Sequence, residues 1–230
     1  MSDKLHSLAY WLIAKPFVQV AVWLIARRDF RGLENVPRKG PFILTSNHMN
    51  NADPPVLTAV MPRRIVWMAK RELFDSPVMG WLYRLFGLIP VRRFEADLSA
   101  LRRSQQALKR GHALGMFPEG TRTAGRGLRE GEPGTAVIAL RAGAPVLPVA
   151  IWGTEHVKLP RDLFSRTRVS VRIGTPYRLA ETKRVTKEQV AEATAEIMRR
   201  IAELLPPEHR GVYANEGGEN SAPAVLEREA

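Results

Sequence analysis

The sequence has 230 residues, 45% of them hydrophobic, which is enough for one domain with a substantial core. It contains no cysteine, and this excludes a disulfide framework, a thiolate nucleophile and a cysteine-ligated metal. Its formal net charge of +12 at pH 7 indicates an anionic partner, such as nucleic acid, anionic lipid or a phosphorylated substrate.

The stretch from Leu5 to Ala26 is the most apolar part of the chain. Its length is near the roughly 20 residues of a membrane-spanning helix, but Lys15 and Pro16 lie at its centre. Because proline breaks or kinks a helix and a central lysine is costly in hydrocarbon, we expect two short helices in the membrane interface. A pair of core helices and a single tilted span are the alternatives. No cleavable signal peptide is expected, since the stretch lacks a small-residue cleavage site.

A buried strand is predicted at residues 42–45, and a polar loop follows it. Asp53 and Pro54 suit the start of a helix, so His48 is expected between the carboxyl end of a strand and a helix, where ligands bind in α/β sheets. An extended chain would hold His48 and Asp53 about 16 Å apart. A loop that folds back would let Asp53 hold one ring nitrogen, leaving the other to accept a proton from a substrate hydroxyl. The alternative is a helix-capping aspartate beside an ordinary loop histidine.

Strands and helices alternate along the rest of the chain. Strands are predicted at residues 64–69, 88–91, 113–116, 145–152 and 168–173, and helices at 72–86, 97–110, 135–142 and 186–205. Pro148 lies inside one of these strands and predicts a bulge or a sheet edge. The alternation predicts an α/β fold, with a mixed, largely parallel sheet flanked by helices after the N-terminal membrane-associating helical segment.

These features predict three regions. Residues 1–28 form the membrane-associating helices, and residues 29–205 form the α/β domain. Residues 206–230 are polar and acidic, which predicts a disordered tail.

Two loops carry the most specific sequence patterns. His48 to Asp53 has the form His-x-x-x-x-Asp, and Pro118 to Arg122 reads Pro-Glu-Gly-Thr-Arg. Together these patterns resemble the glycerolipid acyltransferase family. The most similar branch is that of the bacterial lysophosphatidic acid acyltransferases (1-acyl-sn-glycerol-3-phosphate acyltransferases).

Weaker matches agree in order, and the resemblance extends from about residue 32 to about residue 174. Residues 87–93 and 146–151 are similar to two further blocks of the family, and Lys70 to Leu73 is similar to its Lys-x-Glu-Leu. One departure is Glu132, where many relatives carry lysine before a Pro-Gly or Gly-Gly turn.

The resemblance implies transfer of an acyl chain from an acyl thioester to the free hydroxyl of a lysophospholipid, with lysophosphatidic acid giving phosphatidic acid. His48 would act as general base and Asp53 would orient its ring. No protein nucleophile, metal or resident cofactor is expected; acyl-CoA or acyl carrier protein would be the co-substrate. The substrate-binding residues would be Glu119, Gly120, Thr121, Arg122, Lys70 and Arg93, with the Arg122 guanidinium on the acceptor phosphate.

The expected partners are the lysophospholipid, the acyl thioester and an anionic membrane surface, without nucleic acid. This places the protein at the cytoplasmic face of the cell membrane, as a peripheral or monotopic protein. Within the same class, the acceptor could instead be another lysophospholipid or an amino-lipid.

Two other classes of protein are the alternatives. A basic nucleic-acid-binding protein would interleave aromatic and cationic residues, whereas the tryptophans here lie in apolar runs. A metal-dependent hydrolase would use His48 and Asp53 as ligands and need a further one. His112 and His156 are available for that, but neither belongs to a recognisable ligand spacing.

Overall fold

The structure is a computed structural model that describes residues 10–92, 97–157, 166–180, 182 and 184–215. Its strands are β1 (Ala26–Arg31), β2 (Phe42–Ser46), β3 (Ile65–Lys70), β4 (Ile89–Val91), β5 (Ala113–Met116), β6 (Val146–Trp152) and β7 (Thr167–Ile173). Its α-helices are α1 (Lys15–Ile25), α2 (Asp53–Val60), α3 (Pro77–Leu85), α4 (Leu98–Lys109), α5 (Pro133–Ala142) and α6 (Lys187–Leu204).

The seven strands form one sheet in the order β1-β7-β6-β2-β5-β3-β4. Every neighbouring pair is parallel except β6 and β7, which confirms the predicted mixed, largely parallel sheet. The carboxyl ends of β6, β2, β5, β3 and β4 therefore meet at one edge. The loops that carry His48 and Glu119 leave β2 and β5, two neighbours at the centre of this edge.

Two apolar layers cover the two faces of the sheet. Side chains alternate along β2, so that Ile43 packs in one layer while Phe42 and Leu44 pack in the other. All five residues of β2 are buried. Burial on both faces explains why this strand is a continuous apolar run and why it lies inside the sheet.

The N-terminal segment differs from the two interfacial helices that the sequence predicts. A π-helical turn at Tyr10–Ala14 continues directly into α1, and Pro16 lies in the first turn of α1, where a missing N–H is tolerated. Lys15 is buried, and its Nζ donates to the carbonyl of Met61 at 2.6 Å. Lys15 therefore anchors one helical segment to the domain, and Pro16 does not divide that segment in two.

The two faces of this segment have different surroundings. Val22 and Ile25 are buried in the core, as the alternative of core helices expects. Leu12 and Phe17 are 66% and 73% exposed, and the exposed large apolar side chains Trp11, Val20 and Trp23 accompany them. In the described part of the chain, no helix combines the length and the apolar character needed to cross a membrane. Arg27 and Arg28, predicted in the N-terminal region, belong to β1.

Pro148 lies inside the sheet, because β6 has β7 on one side and β2 on the other. Its carbonyl accepts the N–H of Gly174 at 2.9 Å, just beyond the end of β7. Val149 of β6 pairs with Ile173, and Val146 of β6 forms a bridge with Tyr177. Two residues of β6 lie between these two pairs, whereas three residues of the partner segment do. The irregularity that Pro148 predicts is therefore present, but the extra residue lies in the partner segment and not at a sheet edge.

The prediction of disorder from residue 206 is wrong for residues 206–215. Short 3₁₀ turns form at Pro207–His209 and Gly211–Tyr213, and Tyr213 is buried. Leu128 donates to the carbonyl of His209 and accepts the N–H of Val212, so this segment is fastened to the loop after β5. A single buried aromatic and backbone pairing outweigh the polar composition that suggested disorder. Residues 216–230 lie outside the described residues.

Candidate active site

His48 and Asp53 form a buried pair at the carboxyl end of β2. The Nδ1 atom of His48 lies 2.8 Å from Oδ2 of Asp53, and the two side chains are 7% and 0% exposed. The loop therefore folds back as the sequence analysis requires. Because Nδ1 faces the carboxylate, Nε2 is the ring nitrogen left for a substrate.

The simpler alternative expects Asp53 to cap α2, but Asp53 is the first residue of that helix and its side chain does not cap it. Its Oδ2 accepts the backbone N–H groups of Met49 at 2.7 Å and Asn50 at 2.8 Å. Its Oδ1 accepts the hydroxyl of Thr154 at 2.5 Å. With the histidine ring, four donors surround one fully buried carboxylate, a pattern that fixes its orientation.

Glu119 lies beneath the His48 backbone. Its Oε1 accepts the N–H of His48 at 2.7 Å, and its Oε2 accepts the N–H of Arg129 at 3.1 Å. Burial raises the pKa of Glu119 to about 7, although both N–H donors oppose that shift. Glu119 was predicted to belong to the substrate-binding site; it is buried and both its oxygens accept backbone N–H groups, and its part in binding substrate stays a prediction.

An aromatic stack supports the His48 ring. The ring of Phe117 lies 4.1 Å from that of His48 and 5.2 Å from that of Trp67, with interplanar angles of 19° and 12°. Trp67 is fixed by its indole N–H, which donates to Thr58 at 2.9 Å. A Cβ on Gly115 would lie 2.4 Å from the Trp67 ring, so the stack requires glycine there.

The loop from Gly120 to Thr123 is bound to the His48 carbonyl through Thr123. Gly120 has a φ of 65°, which suits glycine, and Thr123 donates its N–H to the His48 carbonyl at 2.8 Å. Thr121 is half-buried, and Arg122 is exposed and forms no hydrogen bond or ion pair with any described residue. The guanidinium of Arg122 is thus available to an anion.

The other two predicted substrate residues are less defined. Lys70 ends β3, at the same sheet edge as His48, and its Nζ lies 3.4 Å from Oε1 of Glu72. Both side chains are largely exposed, so this ion pair is weak. Lys70 can therefore exchange Glu72 for a phosphate group. Arg93 lies outside the described residues. Their roles in binding substrate stay predictions.

The sequence patterns do not single out five further residues of the site: Asn47, Phe117, Thr123, Arg129 and Thr154. Asn47 extends the pairing of β2 with β6, because its side-chain amide donates to the Ile151 carbonyl at 2.7 Å and accepts the Ile151 N–H at 2.8 Å. Their position in the sequence could have indicated three of them, since Asn47, Phe117 and Thr154 each come just after a buried strand. The order of the strands, which brings those ends together, has no local signature.

The arrangement can remove a proton from a hydroxyl that reaches Nε2 of His48, with Asp53 steadying the resulting imidazolium. Among the described residues, no three His, Asp or Glu side chains lie close enough together to hold a metal ion. The part of the chain that the structure describes therefore does not supply the third ligand that a metal-dependent hydrolase would need.

Comparison with known proteins agrees with this geometry. A family model described as Acyltransferase matches residues 27–152. The chain is 31% identical over 176 residues to the 1-acyl-sn-glycerol-3-phosphate acyltransferase of Bacillus subtilis, covering 74% of this chain and 84% of that protein. It is 31% identical over 212 residues to the enzyme of the same name from Pseudomonas aeruginosa, covering 87% and 81%.

Relatives also include longer proteins and a solved structure. The chain is 29% identical over 158 residues to a chloroplastic 1-acyl-sn-glycerol-3-phosphate acyltransferase of Brassica napus, covering 67% of this chain but only 46% of that protein. It thus spans about half the length of that relative. The crystal structure of the 1-acyl-sn-glycerophosphate (LPA) acyltransferase PlsC from Thermotoga maritima has a TM-score of 0.65 and 27% identity, covering 86% and 80% of the two chains.

Proposed function

This chain belongs to the acyltransferase family, and from that premise we propose that it transfers an acyl chain from an acyl thioester to the free hydroxyl of lysophosphatidic acid, forming phosphatidic acid. The observation that carries the proposal is the buried pair of His48 Nδ1 and Asp53 Oδ2 at 2.8 Å. Bacterial relatives that are 27–31% identical to the chain are named 1-acyl-sn-glycerol-3-phosphate acyltransferases, which supports lysophosphatidic acid as the acceptor.

The reaction needs one proton acceptor and one orienting group. His48 Nε2 takes the proton of the acceptor hydroxyl as its oxygen attacks the thioester carbonyl, forming a C–O bond. The C–S bond then breaks, and His48 returns the proton to the leaving thiolate. Asp53 holds the ring in the required tautomer and stabilises the imidazolium between the two steps.

The charges around the site suit an anionic acceptor. Arg122 has the planar guanidinium that binds a phosphate through two hydrogen bonds, and Lys70 offers a second cation at the same sheet edge. Glu119 and Thr123 fasten the loop that carries Arg122 to the loop that carries His48. Substrate orientation and base orientation therefore both depend on the contacts between these two loops.

We place the reaction at a membrane surface, on the cytoplasmic face where acyl-CoA and acyl carrier protein are found. The exposed apolar face of the N-terminal helical segment supports this, with Trp11 and Trp23 as interfacial aromatics. A net charge of +12 favours an anionic surface. The protein would lie on the bilayer as a peripheral or monotopic enzyme.

The test is an acyl-transfer assay of the purified full chain with a panel of acceptors and both donor types. The acceptors are lysophosphatidic acid, lysophosphatidylcholine, lysophosphatidylethanolamine and an amino-lipid, each with acyl-CoA and with acyl carrier protein thioester. We expect phosphatidic acid as the main product. Transfer only to the other acceptors would contradict the proposed substrate, and the absence of transfer with every pair would contradict the proposed activity.

A further inference from the structure

Thr154 completes the shell around Asp53 from a different strand of the sheet. Its hydroxyl donates to Oδ1 of Asp53 at 2.5 Å, and both residues are fully buried. The other oxygen, Oδ2, faces three N–H groups: the His48 ring and the backbone of Met49 and Asn50. Among the described residues, the Thr154 hydroxyl is therefore the one hydrogen-bond donor to Oδ1.

The turn that presents Thr154 is rigid. Thr154 begins the 3₁₀ turn Thr154–His156, separated from β6 by Gly153, and β6 pairs with β2, the strand that leads to His48. Gly153 has a φ of 90°, and a Cβ there would lie 2.1 Å from the Arg168 carbonyl oxygen. Its N–H donates to Glu155 at 2.7 Å. Such a turn fixes the hydroxyl in place before any substrate binds.

We propose that Thr154 is a positioning residue for the acyl transfer, which holds the Asp53 carboxylate so that its other oxygen stays aligned with Nδ1 of His48. Thr154 lies outside the residues 27–152 that match the family model. Without the Thr154 hydroxyl, Oδ1 loses its donor, and only the contacts of Oδ2 still oppose rotation of the carboxylate away from the ring. The inference rests on the proposed function, because the histidine it serves is the proposed base.

The chain supplies a matched control for the key substitution. Thr45 lies in β2, is fully buried like Thr154, and its hydroxyl has no hydrogen-bond partner in the described structure. Thr45→Val and Thr154→Val therefore make the same isosteric change at two buried sites, but only the second removes a hydrogen bond. Any cost of placing a methyl in the core is common to both.

We expect Thr154→Val to lower kcat by about tenfold to a hundredfold, the range for loss of a hydrogen bond to a charged group, with a small change in KM. Thr154→Ser keeps the hydroxyl and should restore most of the rate, whereas Thr45→Val should act like the unchanged protein. If Thr154→Val does not fold, Thr154→Ser is compared with Thr154→Ala, since both lack the methyl group and only serine keeps the hydroxyl. The proposal is overturned if Thr154→Val is as fast as the unchanged protein, or if Thr154→Ser and Thr154→Ala have equal rates.

A double-mutant cycle distinguishes positioning from simple packing. In an Asp53→Asn background the carboxylate that Thr154 serves is gone, so Thr154→Val should cause little additional loss of kcat. Full additivity of the two losses would mean that Thr154 acts independently of Asp53, and the proposal would fail.

One readout does not depend on activity at all. The His48 ring signals can be assigned among the five histidines by comparison with His48→Ala and then compared between variants by NMR. Loss of the Thr154 donor loosens the Asp53 carboxylate that faces the ring, so these signals should shift in Thr154→Val and stay nearly fixed in Thr45→Val. Unchanged signals in Thr154→Val contradict the inference. Inactivity of the unchanged protein, with the signals shifted as expected, would instead count against the proposed function alone.

Discussion

The backbone N–H of His48 donates to Oε1 of Glu119 at 2.7 Å, across 71 residues of sequence. This bond ties the loop after β2 to the loop after β5, and the second oxygen of Glu119 ties in the Arg129 N–H at 3.1 Å. Two opposing effects act on the Glu119 side chain. The two N–H groups favour its carboxylate form, while burial favours the neutral acid and raises the pKa of Glu119 to about 7.

Glu119 should make stability depend on pH. Its folded pKa of about 7 exceeds the ordinary value of 4.5, so the folded protein binds this proton more tightly than the unfolded chain does. The contribution of Glu119 to the free energy of unfolding is therefore fully present below about pH 4.5 and is lost as pH rises to about 7. Glu119→Gln should remove that slope, while Glu130→Gln, at an exposed glutamate, should keep it. Urea unfolding across this pH range measures both; an unchanged slope in Glu119→Gln would refute the assignment.

His48→Ala should lower the rate of acyl transfer at least about a hundredfold, since it removes the general base. Asp53→Asn should lose a large share of the same rate because the ring is no longer held in one tautomer. Steady-state kinetics with lysophosphatidic acid measures both, with thermal unfolding as a check that each variant is folded. A folded His48→Ala protein with near-normal turnover would rule out the mechanism.

Arg122→Lys should raise KM for lysophosphatidic acid by about tenfold or more, because an ammonium cannot make the paired hydrogen bonds of a guanidinium. The change should be small for monoacylglycerol, which has no phosphate. Arg126→Lys is the matched control, at an exposed arginine of the same loop. A similar loss with both acceptors would assign Arg122 a structural role and leave the phosphate without its proposed partner.

Gly115→Ala should disturb the aromatic stack below His48. The added Cβ would lie 2.4 Å from the Trp67 ring and 2.7 Å from Ile65, so we expect a loss of about 1–3 kcal/mol in the free energy of unfolding, together with a lower kcat. Gly134→Ala, where a Cβ meets nothing within 4 Å, is the control. Denaturant unfolding and tryptophan fluorescence report the change. Unaltered fluorescence and rate would mean that the stack does not set the histidine ring.

The exposed face of the N-terminal helical segment should hold the protein on vesicles when salt screens its charges. Leu12→Glu with Phe17→Glu should weaken binding to anionic vesicles most clearly at high salt, without exposing the core face of the helix. Val212→Glu with Leu98→Glu, at side chains that are 61% and 62% exposed, adds the same two negative charges elsewhere and is the control. Co-sedimentation with anionic vesicles across a salt series measures the binding of each protein. Complete release of the unchanged protein at high salt would show that charge alone binds it.

Local features of the fold could be predicted from the sequence because their causes are local. The capping box at Thr186 and Gln189 forms as its spacing indicates, and α6 begins there. The polar loop after a buried strand placed His48 and Asp53 together, because the helix start at Asp53 limits how far the loop can extend.

The remaining parts of the site depend on strand order and on which way a side chain turns. The sequence places Glu119 in a loop among the substrate-binding residues but does not show that its side chain turns inward, where two backbone N–H groups donate to it. Thr154 has no pattern of its own, and only the pairing of β6 with β2 brings it to Asp53. Lys15 suggested a break in the N-terminal segment, but a carbonyl at the end of α2 accepts its ammonium.

The position of β6 between β2 and β7 has a consequence for the growing chain. His48 and Asp53 are synthesised nearly together, but Thr154 follows Asp53 by 101 residues. At about 5–20 residues per second, the ribosome needs about 5–20 s to add them. Until β6 has emerged, one edge of β2 has no partner, and an unpaired strand edge is a template for pairing with other chains. The nascent protein is thus exposed to misassembly at the very strand that leads to His48.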